Sequence, residues 1–130
     1  MMTLETFVKT WLHKKCDYDG YYGPQCVDLF RQYLKDVWNI PHTGAVEGAK
    51  DIWLKYDKLE LEKKFLKKVK AVKPGDVVVF DGADKYGHVG IYLAALGESM
   101  IILEQDGYKK DGVKITLYSD EKVLGFLRRR

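Results

Sequence analysis

The feature that most constrains the fold is a change of hydrophobic period part-way along the chain. Leu4, Phe7, Val8, Trp11 and Leu12 recur at helical spacing, so the chain opens with an amphipathic helix. From Cys26, the positions Val27, Leu29, Phe30, Tyr33, Leu34, Val37 and Trp38 predict a second, buried helix that Pro41 ends. Val46, Ala49, Ile52 and Trp53 share one face of a third, from Ala45 to Tyr56. Lys58 to Lys70 is charged, with Leu59, Leu61, Phe65, Leu66 and Val69 interspersed, and its end reads as an edge strand or an irregular loop. After it the period changes. Lys73-Pro74-Gly75-Asp76 signals a turn, and Val77-Val78-Val79-Phe80 behind it is a buried strand. His88 to Leu93 and Met100 to Glu104 read as a strand pair, Val113 to Tyr118 as a half-buried strand, and Val123 to Leu127 as the last. Helices first and consecutive strands after give an α+β domain, its N-terminal helices packed on a C-terminal antiparallel sheet.

With 130 residues, 46% of them hydrophobic, the chain has material for one core and not two, so residues 1–130 read as a single domain. An aromatic content of 13% argues against disorder. The net charge of +3 fits an anionic polymer no better than an ordinary soluble protein, and no nucleic-acid partner is expected. No apolar run approaches the ~20 residues needed to span a bilayer, so no membrane partner is expected either. The start, Met1-Met2-Thr3-Leu4-Glu5, carries an early acid and does not read as a signal peptide, which points to a cytoplasm. There Cys16 and Cys26 are expected as free thiols. A monomer is expected.

The chemistry concentrates around Cys26. In Tyr21-Tyr22-Gly23-Pro24-Gln25-Cys26-Val27-Asp28, a turn hands over to a helix that begins at the cysteine. A thiol there meets unpaired N–H groups and the positive end of the helix dipole, which favour the thiolate. His88 stands at the mouth of one strand, and Glu104 and Asp106 at the end of another. Cysteine, histidine and carboxylate in that order suggest a cysteine hydrolase of the papain type. Cys26 is then the nucleophile and His88 the base that takes its proton. Glu104 accepts the second ring N–H, with Asp106 as a further carboxylate nearby. The backbone N–H of Cys26 and, more weakly, Gln25 are candidate oxyanion donors. Cys16 lacks such companions and reads as a structural thiol, as a lone Cys26 would. His13 and His42 read as a helix-face and a loop residue, and Trp11, Trp38 and Trp53 as core rather than sugar platforms. The basic stretches Lys63 to Lys70 and Arg128 to Arg130 read as solvated charge.

The stretches Gln25-Cys26-Val27-Asp28-Leu29, Lys73-Pro74-Gly75-Asp76-Val77-Val78-Val79-Phe80, Gly87-His88-Val89-Gly90-Ile91 and Glu104-Gln105-Asp106 resemble the CHAP family of cell-wall amidases and endopeptidases, within the papain-like and NlpC/P60 grouping. The Gln-Cys start separates the two branches, since NlpC/P60 proteins usually have Asp-Cys-Ser-Gly there. The resemblance implies a papain-like fold and cleavage of an amide in bacterial peptidoglycan, by an N-acetylmuramoyl-L-alanine amidase or a peptide-crosslink endopeptidase. It further implies a phage or prophage lysin, held in the host cytoplasm until released to the wall. Residues 17–28 look like the calcium-binding stretch of some phage endolysins, which implies Asp17, Asp19, the Tyr21 carbonyl and Asp28 as ligands. Gly23, often a histidine in those relatives, offers only its carbonyl. A hard cation suits such oxygens, and clustered carboxylates repel one another without one. Two rival readings remain open. One is a catalytically silent, calcium-stabilised wall-binding module. The other is an NlpC/P60-like peptidase or an acyltransferase using the same thiol.

Overall fold

The structure is a computed structural model, described at residues 1–20, 23, 25–41, 43–44, 46–82, 84–106 and 109–130. Helices α1 (Leu4–Trp11), α2 (Cys26–Asp36), α3 (Asp51–Leu54) and α4 (Glu60–Phe65) come first, with a 3-10 turn at Tyr56–Lys58. Strands β1 (Leu66–Val69), β2 (Val77–Phe80), β3 (His88–Leu96), β4 (Ser99–Gln105), β5 (Val113–Tyr118) and β6 (Val123–Arg129) follow. They form one sheet in the order β1-β6-β2-β3-β4-β5, every neighbouring pair antiparallel. The expected α+β architecture is the one observed. Among the described residues no helix is long and apolar enough to cross a membrane.

The four apolar residues of β2 are all buried because they serve two cores. Val77 and Val79 join Val89, Ile91 and Leu103 on the sheet face that packs against Phe7, Leu29, Phe30 and Leu34 of α1 and α2. Val78 and Phe80 point the other way, into a cluster with Tyr92, Met100 and Ile102. The period-2 alternation of a strand separates the two sets. Gly90 lets β3 and β4 approach closely: a Cβ there would stand 2.5 Å from the Ile102 side chain.

Two expectations about the helices need correction. The helix read from Ala45 to Tyr56 is only the single turn of α3 and the 3-10 turn after it, and Ala45 lies outside the described residues. The Lys50 N–H is spent on the Tyr86 carbonyl (3.0 Å), so the preceding residues are held to the loop before β3 instead of extending the helix. The charged stretch after Tyr56 contains a helix, α4, before the expected edge strand. Glu60 and Glu62 lie in its first turn and Lys63 and Lys64 in its last, the polarity that a helix dipole favours.

The Lys73–Asp76 turn is a structural joint. The buried Asp76 carboxylate accepts the Lys73 N–H (2.7 Å) and grips the Arg128 guanidinium through two bonds of 2.7 Å, so Arg128 is not plain solvated charge. Tyr33 of α2, itself buried, donates to the Gly75 carbonyl at 2.7 Å and fastens the helix to the same turn. Tyr33→Phe leaves that carbonyl short of a partner. Urea denaturation is expected to show a loss of about 1 kcal/mol; an unchanged midpoint would mean that the bond contributes nothing.

Candidate active site

Cys26 is the first residue of α2. Gln25 before it is extended (φ −127°, ψ 166°), and its N–H is accepted by the Asp28 carboxylate at 3.0 Å, which fixes the angle at which the chain enters the helix. The N–H groups of Cys26 and Val27 have no acceptor within the helix and are candidate donors to an incoming oxyanion, while the Asp28 N–H is spent on the Gln25 carbonyl at 3.1 Å. Cys26 is half-buried and unbridged.

His88 opens β3. Its Nε2 lies 2.9 Å from Glu104 Oε1, and the Tyr118 hydroxyl donates to the same oxygen at 2.7 Å. The imidazole is flanked by Phe80 and Tyr118, each ring centre 5.9 Å away, while those two rings touch at 4.9 Å. With Nε2 turned to Glu104, Nδ1 is the ring nitrogen left for Cys26, whose side chain is near enough to favour the imidazolium. Burial disfavours the imidazolium, but the bonds to Cys26 and Glu104 and the charge of both outweigh it and raise His88 to about 10. Burial also pushes Glu104 towards its neutral form, yet hydrogen bonds with His88, Thr116 and Tyr118 hold it below the ordinary carboxylate range. Sulfur, imidazole and a buried carboxylate are thus in one chain of contacts, the arrangement that nucleophilic acyl chemistry requires.

Beside this chain lies an acidic cluster. Asp17, Asp19 and Asp28 bring carboxylate oxygens to within 4.8 Å of one another. Donors about 2.3–2.6 Å from a shared calcium ion can be up to about 5 Å apart, so the spacing and the all-oxygen donor set both fit that ion. Asp28 is buried, and burial foremost raises it to about 6; the neighbouring charges of Asp19 and Asp17 add to this, against hydrogen bonding from the Gln25 backbone. Arg31 supplies one balancing charge, 3.4 Å from Asp19, and spends its other arm on the Gly44 carbonyl at 2.8 Å. Gly23 has φ +74°, a conformation that disfavours a side chain. Tyr21 and His42 lie outside the described residues. Cys16 is fully buried, and burial above all pushes its thiol up to about 12, as suits an inert core residue.

A family model described as the CHAP domain matches residues 16–106, from the buried cysteine to the end of the Glu104 motif. The chain belongs to the CHAP domain family. It is also similar to two solved structures of Ly7917. One was determined with the hydrolysing product of MDP (TM-score 0.67, 19% identity) and one without it (TM-score 0.69, 18% identity). Each likeness covers 98% of this chain and 63% of the other, so the chain spans less than two thirds of those proteins, and at such identity the likeness is one of fold.

Within this CHAP domain the residues singled out in sequence are distributed unequally. Cys26, His88 and Glu104 come together. Gln25 stands directly before Cys26, where its carbonyl accepts from Gln105 Nε2 at 2.9 Å. Asp106 falls just past the end of β4; its charge acts on the Tyr118 hydroxyl, and its carbonyl accepts the Lys110 N–H at 3.0 Å. Tyr118 and Gln105 carry no role that sequence alone assigns. The alternation of β5 marks Tyr118 as a strand residue, but only the pairing of β5 with β4 brings its hydroxyl to Glu104.

Proposed function

We propose that the protein is a peptidoglycan hydrolase that opens an amide bond through Cys26, His88 and Glu104. The observation that carries this reading is the arrangement of the His88 ring, one nitrogen on the Glu104 carboxylate and the other towards Cys26. The family and the likeness to a protein solved with the hydrolysing product of MDP support the choice of substrate. The Cys26 thiolate attacks the amide carbonyl carbon, and the oxyanion takes the N–H groups of Cys26 and Val27, with Gln25 as a further donor. His88, now imidazolium, protonates the departing amine as the C–N bond breaks, leaving an acyl thioester on Cys26. Neutral His88 then draws a proton from water, which attacks the thioester, and collapse releases the carboxylic acid and the thiol. Glu104 holds the ring in the tautomer these steps need, and Tyr118 holds Glu104. As a phage or prophage lysin, the protein would work as a monomer on the wall once released from the host cytoplasm.

We further propose that Asp17, Asp19 and Asp28, with the carbonyls of Tyr21 and Gly23, hold one calcium ion. When bound, the ion supplies charge neutralisation and order to the loop before Cys26, and takes no part in bond breaking. Asp28 supports this assignment, because its carboxylate belongs to the acidic cluster and also caps α2 at the nucleophile.

Two tests follow. Turbidity of wall suspensions, with mass spectrometry of the products, is expected to show no lysis by Cys26→Ala. His88→Ala should lose about 10²–10⁴-fold, and Glu104→Gln about 10–100-fold. Lysis by Cys26→Ala at the wild-type rate would refute the cysteine mechanism, and a new amide in place of free amine and acid would favour acyl transfer. For the ion, calcium at a hundred times its Kd is expected to stabilise the fold by about 2.7 kcal/mol. That gain reads as a higher Tm, and Asp19→Ala should erase it. A melting curve blind to millimolar calcium would retire the site.

A further inference from the structure

We propose that Gln105 is a positioning residue that sets Cys26 against His88 and links the acidic loop to the nucleophile. The inference rests on the reading of Cys26 as the nucleophile. Gln105 ends β4 and is fully buried. Its Oε1 accepts the Cys16 N–H at 2.8 Å, and its Nε2 donates to the Cys16 carbonyl at 2.6 Å and to the Gln25 carbonyl at 2.9 Å. One side chain therefore grips the residue before Asp17 and the residue before Cys26. A buried amide is costly unless its polar atoms are bonded, so these three contacts define where both segments lie.

The base of this clamp is rigid. Gln105 pairs with Val113 of β5, and Val113 exchanges two further bonds with the chain entering the acidic loop: it accepts from the His13 N–H and donates to the Lys14 carbonyl, both at 2.8 Å. Its neighbour Glu104 carries the carboxylate that orients His88. Two consecutive residues of one strand thus position the base and the nucleophile separately. Ordering of Asp17 and Asp19 has a path to Cys26 through Cys16, Gln105 and Gln25, beside the direct one through the Asp28 carboxylate.

The test compares Gln105→Glu, which keeps the shape but turns the donor into an acceptor facing two carbonyls, with Gln105→Met, which removes all three bonds. The readout is the rate at which iodoacetamide modifies Cys26 at pH 7 in protein that melts cooperatively above the assay temperature, with the modified cysteine identified by peptide mapping because the variants also release Cys16. Both variants are expected to react about tenfold more slowly or worse, and to lose kcat on wall substrate with little change in KM. Folded variants whose Cys26 reacts at the wild-type rate overturn the proposal. If neither variant folds, hydrogen exchange of the wild type decides: a Cys16 N–H protected to the level of the β4 core supports the clamp, and one exchanging like an open loop overturns it. Because alkylation needs no wall substrate, a wild type that reacts with iodoacetamide but lyses no walls defeats the hydrolase reading and leaves the positioning role standing.

Discussion

The site depends on the register of β4. Neighbouring residues of a strand face opposite sides, so Glu104 and Gln105 serve two different structures. Glu104 reaches His88, and Gln105 reaches Cys16 and Gln25 on the helix side. The pairing of Glu104 with Lys114 and Gln105 with Val113 fixes this assignment. A slip of one residue would turn the carboxylate into the core and the amide away from Cys16 and Gln25. The two apolar clusters on either side of the sheet oppose such a slip, because it would also exchange Ile102 with Leu103.

Charge follows the same division. At His88 the burial of an ionisable ring is offset by partners on both nitrogens, and the surrounding rings of Phe80 and Tyr118 limit the water that could compete for them. At the acidic cluster three carboxylates stand close together with Arg31 beside Asp19, and Arg31 Nε is buried with no hydrogen-bond partner among the described residues. Asp28 joins the two regions, since the carboxylate that raises the cost of the cluster also fixes the start of α2. Under the calcium proposal, the ion relieves repulsion at the very residue that sets the approach to Cys26.

Much of this was legible in the residues. Val77–Phe80 and Val113–Tyr118 are strands with the bounds their patterns suggest, and the turn before Cys26 marks the start of α2. Cys26, His88 and Glu104 stand out in the sequence because each is a chemistry-bearing residue at, or next to, the end of a regular element. Helix α4 was not, because its apolar residues are diluted by lysine and glutamate and its length is under two turns. The false extension of α3 arose where periodicity competes with a tertiary bond, from Lys50 to Tyr86. The roles of Gln105 and Tyr118 depend on partners 89 and 14 residues away, and no local pattern encodes such distances.

The central claim is that His88 is shared between Cys26 and Glu104, and NMR titration of the 15N-labelled imidazole tests it most directly. An ordinary histidine loses its proton near pH 6.5. His88 bonded on both sides should remain imidazolium well above pH 7, with its midpoint displaced towards the value of about 10 that its surroundings favour. Cys26→Ala should bring that midpoint down, because one of the two partners that stabilise the cation is gone. A His88 resonance that titrates near pH 6.5 and ignores Cys26→Ala would contradict the account.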